Sequence, residues 1–326
     1  MKLITILTRA MLSLVRSGVI SHFALIILLV LPANAYAQGS THAATLPIID
    51  MHFHPDPAWD LTAFVSLFDE VGVTKAGNGA RERGPDTDKV ALDFALQNPD
   101  RIFVFGFGGI RGLINKEGEP AWTLESEAVR KALVSLEADL RAGKLKGIGE
   151  LHPNTTLSQP KRGGYFPADS PLMQHICRLS STYKVPLSAH MDATEQSVGE
   201  MERLLLSNRN CIWMWAHAGH FAQPPLLRRL LQTHPNLYLE LSQRVGPSFY
   251  ADRIDDDGEL RRGWKELLED FQDRVVIGTD RVKPSLNAYS RVIGLWRQVF
   301  SQLSPKAAAK IAHGNAERLL RLSPAN

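Results

Sequence analysis

The sequence is poor in cysteine and lacks several motifs that would assign a function directly. Two cysteines among 326 residues exclude a fold held together by several disulfides. No Gly-x-Ser-x-Gly turn, His-Glu-x-x-His helix or Walker phosphate loop occurs, so serine hydrolases, zincins and nucleoside-triphosphatases find no support. The rest is an ordinary composition, 44% hydrophobic and 22% charged with 24 glycines and 19 prolines, which is typical of a globular protein.

Beyond its first residues, the chain also lacks an excess of positive charge. The formal net charge is +3, and Lys2, Arg9 and Arg16 account for all of it, because residues 1–37 contain no acidic residue. Without these three, the 37 basic residues fall to 34 and equal the 34 acidic ones. A nucleic-acid-binding surface needs clustered Lys and Arg on the folded domain, so no nucleic-acid partner is expected.

Residues 1–37 have the pattern of a cleavable secretory signal peptide. The apolar run 23–31 follows a basic stretch, Pro32 ends it, and Ala35-Tyr36-Ala37 offers the small residues that signal peptidase accepts. Nine apolar residues are too few to span the roughly 30 Å of a bilayer core as an uncleaved anchor. We therefore expect cleavage after Ala37, a short linker over 38–45, and a periplasmic or secreted protein without a stable membrane anchor.

From residue 46 onward, short β-branched or aromatic segments alternate with segments of helical periodicity. The strand candidates are 46–51, 71–76, 102–107, 145–150, 185–190, 211–217, 236–241 and 274–279, and the helix candidates include 124–141, 171–183, 200–206, 224–232 and 259–271. Strands separated by helices form a parallel sheet, and eight such units predict a single α/β domain over 46–322, a (β/α)8 barrel of the TIM type. An open doubly wound sheet would have a glycine-rich turn after its first strand, where His52-Phe53-His54-Pro55 stands instead.

Polar residues of the types that bind metals follow the predicted strands at their carboxyl ends. His52 and His54 are two residues apart after the first strand, so the alternation of a strand points both imidazoles to the same side. Further strands end in the first ionisable residue after an apolar run, namely Glu150, His190, His217 and Asp280. The carboxyl ends of barrel strands meet at one rim, so the sequence predicts a divalent-metal site there.

The two cysteines fall on different predicted elements. Cys177 lies in the helix candidate 171–183, and Cys211 begins the strand candidate 211–217. An oxidising compartment permits a disulfide between them, but two buried free thiols are the expectation from the sequence.

These motifs resemble the amidohydrolase superfamily, and more closely its amidohydrolase-related branch of metal-dependent TIM-barrel hydrolases. The resemblance runs from residue 48 to about residue 320. It is carried by Asp50-x-His52-x-His54, Glu150, His190, His217, Gly278-Thr279-Asp280 and the terminal Ile311-x-x-Gly314-Asn315-Ala316-x-Arg318-Leu319-Leu320. From the residues alone, that last segment is best interpreted as a packing helix.

The resemblance implies a set of metal ligands. His52, His54 and Asp280 would hold one divalent cation, His190 and His217 a second, and Glu150 would bridge the two. Many relatives have a carboxylated lysine where this chain has Glu150, and this departure leaves one or two ions per chain. In the one-ion arrangement, His52, His54, His190 and Asp280 bind the metal and His217 orients the substrate. Zinc suits imidazole and carboxylate ligands best, although manganese, iron or nickel fit the same donors.

The resemblance also implies a chemistry, in which a metal-activated water cleaves a bond of a small-molecule substrate. Asp280 is the expected catalytic base, and a lactone, ester, amide or phosphoester is the expected substrate. Metal-dependent non-oxidative decarboxylation is the alternative, although such relatives often have Glu-x-His at the first strand, where His52 stands here. A non-catalytic barrel that binds a metal or ligand is the third possibility.

Several further polar residues fall in predicted loops on the substrate side of the barrel. Arg111, Tyr165 and Arg244 are the predicted substrate-binding residues, since basic and hydroxyl groups there would receive an acidic substrate; Arg81, Arg83, Lys161 and Arg162 lie in the same loops. His152, Asp192 and His220 come one to three residues after predicted ligands. They either orient ligands or are solvated loop residues, and the sequence does not decide between these two interpretations.

Overall fold

The computed structural model describes residues 42–56, 59–79, 87–106, 108–160, 164–246, 251–256, 258–281 and 285–322. The predicted signal peptide, residues 38–41 of the linker, and Arg81, Arg83, Lys161 and Arg162 lie outside these residues. Across the described ranges, no helix combines the length and the apolar character needed to cross a membrane.

Within these residues, eight parallel strands form one sheet in the order of the sequence. They are β1 (Ile48–Asp50), β2 (Val73–Asn78), β3 (Ile102–Gly106), β4 (Gly147–Asn154), β5 (Pro186–Met191), β6 (Ile212–Ala216), β7 (Leu237–Glu240) and β8 (Val275–Val276). All eight overlap the predicted segments.

The sheet closes on itself where the last strand meets the first. The backbone N–H of Met51 donates to the carbonyl of Ile277 at 2.9 Å, and that of Asp280 donates to the carbonyl of His52 at 2.7 Å. Phe53 and Arg281 form a further parallel bridge. These contacts extend β1 and β8 toward the carboxyl rim, and the predicted (β/α)8 barrel is confirmed.

Helices connect the strands and cover the outside of the barrel. They are α1 (Leu61–Val71), α2 (Thr87–Gln97), α3 (Gly108–Glu117), α4 (Glu127–Arg141), α5 (Pro171–Tyr183), α6 (Glu195–Ser207), α7 (Pro224–Thr233), α8 (Arg262–Asp270), α9 (Leu286–Ser301), α10 (Pro305–Ala309) and α11 (Asn315–Leu320). Local sequence explains several of their starts, because Ser126, Ser170 and Thr194 cap α4, α5 and α6 with their side-chain oxygens.

Three predicted helices differ from the structure at their first residues. The helix predicted over 124–141 begins later, at Glu127, because Ser126 provides the N-cap. The helix predicted over 200–206 begins earlier, at Glu195, because Thr194 provides the N-cap. The helix predicted over 259–271 begins later, at Arg262, because Glu259–Leu260 pairs with Asp255–Asp256 in a short antiparallel hairpin.

The apolar core has two layers, one inside the barrel and one between the strands and the helices. Alternate residues of β1 divide between them, with Ile48 in the outer layer and Ile49 in the inner one. Leu319 and Leu320 of α11 pack against the inner layer. Asn315 fixes this helix by donating to the carbonyl of Val275 at 2.7 Å, so α11 packs at the amino end of β8, opposite the rim.

The expectation of two free thiols is wrong, because Cys177 and Cys211 form a disulfide. Their Cα atoms are 5.3 Å apart, within the usual range for a disulfide. Helix α5 packs its buried face, which includes Cys177, against the start of β6, where the Ser180 hydroxyl accepts the N–H of Ile212 at 3.2 Å. That tertiary contact brings the two cysteines together, and their sequence separation of 34 residues gave no indication of it.

Candidate metal centre

The six predicted metal ligands come together at the carboxyl rim of the barrel. They are His52, His54, Glu150, His190, His217 and Asp280, and all are buried except Asp280, whose side chain is 16% exposed. They belong to five different strands or the residues that follow them, so only the closed barrel can gather them.

His52, His54 and Asp280 form the first group of candidate ligands. The Nε2 atoms of the two histidines are 2.9 Å apart. Asp280 Oδ1 is 3.7 Å from Nε2 of His52 and 3.5 Å from Nε2 of His54. Three donor atoms therefore face one small volume, as the two-residue spacing of the histidines predicts.

Glu150 lies between the first group and the histidines of β5 and β6. Its Oε2 atom is 3.5 Å from Nε2 of His52 and 3.6 Å from Nε2 of His54. Its Oε1 atom is 3.1 Å from Nδ1 of His190 and 3.5 Å from Nε2 of His217, and these two nitrogens are 3.2 Å apart. Each carboxylate oxygen thus faces a different pair of imidazoles.

Three of the four histidines are held by their outer nitrogens. Nδ1 of His52 is 2.7 Å from Oε2 of Glu240, and Nδ1 of His54 is 2.8 Å from the carbonyl of Gly79. Nδ1 of His217 is 2.8 Å from Oγ and 3.3 Å from the carbonyl oxygen of Ser242. With the proton on the outer nitrogen, each inner nitrogen keeps a lone pair, which is the form in which histidine binds metals.

Close packing behind His52 requires a glycine at position 278. A Cβ atom there would collide with the Cβ of His52 and come within 2.7 Å of Glu240 Oε1. Next to it, Asp50 joins β1 to β8 by accepting the N–H groups of His52 and Thr279, both at 3.0 Å. The Asp50 and Gly278 positions therefore support the site and do not line it.

Imidazoles and carboxylates shift one another's pKa values across the site. Burial alone would lower the pKa of His52, but the carboxylates of Glu150, Glu240 and Asp280 hold it well above its ordinary value. Burial alone would raise the pKa of Glu150, but His52 and His190 hold it well below its usual range. The carboxyl groups are therefore ionised, and the negative charge that favours a proton on His52 equally favours a divalent cation in place of that proton.

Glu240 and Ser242 are parts of the site that the sequence analysis did not select. Glu240 is fully buried and contacts His52 directly. It is the first charged residue after the apolar run of the seventh predicted strand. The rule that selected the ends of the other strands would have found it.

His152, Asp192 and His220 are buried, so their interpretation as solvated loop residues is wrong. His152 Nε2 is 3.5 Å from Glu150 Oε2. His220 Nδ1 is 3.4 Å from Asp192 Oδ1. The rings of His190, His217 and His220 lie within 4.7 Å of one another, measured between centroids.

Four sets of three residues in the described part of the chain place their ligand atoms within 4.8 Å of one another. Besides the first group, these are His190, His217 and His220, here named the second group, and the sets His52–His217–Glu240 and Glu150–His152–His190. Imidazole nitrogens with anchored outer atoms, together with ionised carboxylates, are a donor set that fits a divalent transition metal. The protein therefore has clusters able to hold a metal.

Unusual backbone conformations concentrate at this site. Among the described residues, seven other than glycine have positive φ, and five of these are His217, Ala218, His220, Gln243 and Asp280. The remaining two, Lys184 and Arg321, end helices, where positive φ is common. Such strain persists only where surrounding contacts impose it, and it is typical of functional sites.

Arg244 is buried inside the protein, unlike the solvent-facing loop residue that its predicted role in substrate binding assumed. Its guanidinium donates to the carbonyl of His220 and, at 2.8 Å, to that of Ala222, and it lies 4.6 Å from the ring centroid of Trp264. Burial lowers its pKa to about 9. These contacts fix the loop after β6, and the sequence could not show that the guanidinium turns inward.

The other two predicted substrate contacts stay predictions. The Tyr165 hydroxyl donates to Glu200 of α6 and accepts from Gln196 at 2.5 Å, which ties this residue to the outer helix. Burial and Glu200 raise the pKa of Tyr165 to about 12. Arg111 lies within α3, where a loop was predicted, and its side chain is outside the described residues.

Solved structures share this barrel. An amidohydrolase from Burkholderia multivorans with bound zinc aligns at a TM-score of 0.55 and 16% identity, over 85% of this chain and 100% of that one. 4-Oxalomesaconate hydratase from Rhodopseudomonas palustris aligns at 0.56 and 12% identity, over 84% and 95%. 2,6-Dihydroxybenzoate decarboxylase from Rhizobium aligns at 0.53 and 12% identity, over 85% and 99%. At these identities the likeness shows the fold alone.

Comparison of the sequence with family models identifies the family. No curated protein matches it. A family model described as Amidohydrolase matches residues 118–322, more than half of the 326 residues. The matched part includes Glu150, His190, His217 and Asp280 of the site. This protein belongs to the amidohydrolase family.

Proposed function

We propose that this protein is a metal-dependent hydrolase that cleaves a lactone, ester, amide or phosphoester bond of a small molecule. The observation that carries the proposal is the position of Glu150, whose two oxygens each lie 3.1 to 3.6 Å from a different pair of histidines. A carboxylate placed in this way suits two cations about 3.5 to 4 Å apart, the spacing of two-metal hydrolases.

The residues divide between the two cations. His52, His54 and Asp280 would hold the first, His190 and His217 the second, and Glu150 would contact both. Bound divalent cations supply a Lewis acid for the scissile group and lower the pKa of water toward 7. Zinc is the preferred metal because of the imidazole and carboxylate donors, and the zinc in the related Burkholderia multivorans structure agrees with that choice.

Asp280 would act as the general base. Its Oδ1 atom faces the histidines of the first group, and its Oδ2 atom accepts a hydrogen bond from Gln243 Nε2 at 3.0 Å. Asp280 is also the most exposed of the six residues. This carboxylate can therefore receive a proton at the open side of the cluster and pass it to a leaving group.

We further propose that the protein works in the periplasm or outside the cell. The signal-peptide pattern of residues 1–37 supports export. The Cys177–Cys211 disulfide supports it independently, because structural disulfides persist mainly in oxidising compartments.

The test measures turnover and determines whether the product takes up an oxygen atom from water. Purified protein is stripped of metal with dipicolinate, reloaded with zinc, and assayed on panels of lactones, esters, amides and phosphoesters in ¹⁸O-labelled water. We expect turnover only after reloading, with ¹⁸O in the product. His175→Ala is the matched control, since His175 lies on the outer helix α5, and it should keep full activity.

Two other outcomes would replace the proposal. Release of carbon dioxide from hydroxybenzoates without ¹⁸O incorporation would make the protein a decarboxylase. A zinc-loaded sample that is inert on every panel and on these carboxylates would favour a non-catalytic metal- or ligand-binding barrel.

A further inference from the structure

His220 has the environment of a metal ligand although no part of the predicted ligand set includes it. It is 1% exposed, and its ring centroid is 4.4 Å from that of His190 and 4.5 Å from that of His217. One ligand atom of each of these three histidines lies within 4.8 Å of the other two. The imidazole of His220 therefore belongs to the interior of the site.

The contact between His220 and Asp192 has the same kinds of partners as the contact between His52 and Glu240, but it is longer and is not a hydrogen bond. In both, Nδ1 of the histidine faces a fully buried carboxylate, at 3.4 Å from Asp192 and 2.7 Å from Glu240. Asp192 is fixed by its other oxygen, which accepts the N–H groups of Leu157 at 2.7 Å and Ser158 at 3.1 Å. With Nδ1 directed at this carboxylate, Nε2 is the nitrogen that His220 would offer to a cation, as in the carboxylate–histidine pairs of metal sites.

The backbone that carries His220 is strained in a way that brings two histidines together. Residues 217–220 all have positive φ, from 44° to 69°. As a result, His217 and His220 both point into the cluster from one tight turn. Arg244 supports the turn by donating to the carbonyls of His220 and Ala222. Strain maintained by a buried arginine is typical of a position whose geometry serves a function.

We propose that His220 is a metal ligand, which adds a third imidazole to the second cation beside His190 and His217. The inference rests on the proposed function, because it requires a second cation at that position. Asp192 is then a positioning residue for His220. The second cation would have three imidazoles besides Glu150, whereas the first would have two imidazoles and two carboxylates, so the second position should favour zinc over harder metals such as manganese more strongly.

The test is the affinity of the second zinc ion in His220→Asn. The short amide of asparagine can still face Asp192, but it has no atom at the position of Nε2. By competition with chelators of graded affinity, we expect two zinc ions per chain in the native protein. In His220→Asn the second should bind at least about tenfold more weakly and the first unchanged.

His234→Asn is the matched control, because His234 is equally buried and pairs with a carboxylate, Glu202, outside the site. It should leave both zinc affinities unchanged. A second measurement uses the native protein alone and does not depend on the folding of a variant. In the cobalt(II)-loaded protein, each bound imidazole gives one hyperfine-shifted, exchangeable N–H proton signal in NMR, and we expect five.

The outcomes separate the inference from the proposed function. Two zinc ions with unchanged affinities in His220→Asn, together with four shifted N–H signals, would overturn the role of His220 and leave the hydrolase proposal intact. A native protein that binds one zinc ion would overturn the inference, and one that binds none would overturn the proposed function with it.

Discussion

The two groups of histidines at the rim reach similar positions by different means. His52 and His54 follow β1, and regular strand alternation directs both imidazoles inward. His217 and His220 lie on a turn with positive φ at every residue, which depends on the buried guanidinium of Arg244. The two histidines of the first group thus follow from local strand geometry, whereas His217 and His220 depend on a tertiary contact with Arg244.

This difference suggests how each group responds to change. The histidines of the first group should tolerate alterations elsewhere in the barrel, since the alternation of β1 alone directs them inward. The second should be sensitive to residues that touch neither the cation nor the substrate. Variants that affect one group and leave the other intact test the comparison directly.

The largest expected effect comes from the first group, with Asp280→Asn. The amide cannot accept the proton that the proposed mechanism transfers, so kcat/KM should fall by about 10² to 10⁴ while the fold is retained. Steady-state kinetics measure the loss, and circular dichroism checks the fold. Asp139→Asn changes a half-buried carboxylate on α4 that pairs with Lys144 outside the site, and it should have no effect. Unchanged turnover in Asp280→Asn would remove the proposed catalytic role.

An intermediate effect is expected from the support of the second group, with Arg244→Met. Methionine fills space beside Trp264 but leaves the carbonyls of His220 and Ala222 without charged donors, so the free energy of unfolding should fall by about 4 kcal/mol. Urea denaturation measures this. The second zinc ion should also bind more weakly, while the first keeps its affinity.

Arg297→Met is the control for that variant. Arg297 also donates to backbone carbonyls, those of Ala43, Leu46 and Val71, at the opposite end of the barrel. Its loss should lower stability and leave both zinc affinities unchanged. If the two arginine variants have the same zinc affinities, the turn at 217–220 does not depend on Arg244 as described.

The smallest effect is expected from Glu240→Gln, which changes the charge behind the first group and keeps a hydrogen-bond acceptor for His52. Loss of the negative charge makes the imidazole of His52 a weaker electron-pair donor to the metal. The first zinc ion should therefore bind about 10- to 100-fold more weakly. Chelator competition measures the change. Glu202→Gln, which alters a similar carboxylate–histidine pair outside the site, should have no effect on zinc. Equal affinities in the two variants would exclude a role for Glu240 in tuning His52.

Much of the barrel and the positions of its strand ends could be predicted because they follow from short periodic patterns. Eight apolar segments separated by helical ones give eight parallel strands, and the carboxyl ends of such strands share one rim. The convergence of His52, His54 and Glu150 follows from that rule. Glu240 follows from it as well, and was missed only because the rule was not applied to the seventh strand.

The remaining features depend on contacts that no local pattern specifies. Arg244 is an ordinary basic residue in the sequence, and only packing against Trp264 shows that its guanidinium is buried. His220 lies three residues after His217, a spacing that places it inside the site only because the intervening backbone adopts positive φ. The Cys177–Cys211 disulfide likewise depends on where α5 packs against β6.

The most direct test of the account is the zinc content of the native protein. Metal-free protein is equilibrated with excess zinc, dialysed, and analysed by elemental mass spectrometry against a protein concentration from amino-acid analysis. Each oxygen of Glu150 lies near a different pair of histidines, and this arrangement predicts two zinc ions per chain. One ion would contradict the bridging role of Glu150, and none would contradict the metal centre altogether.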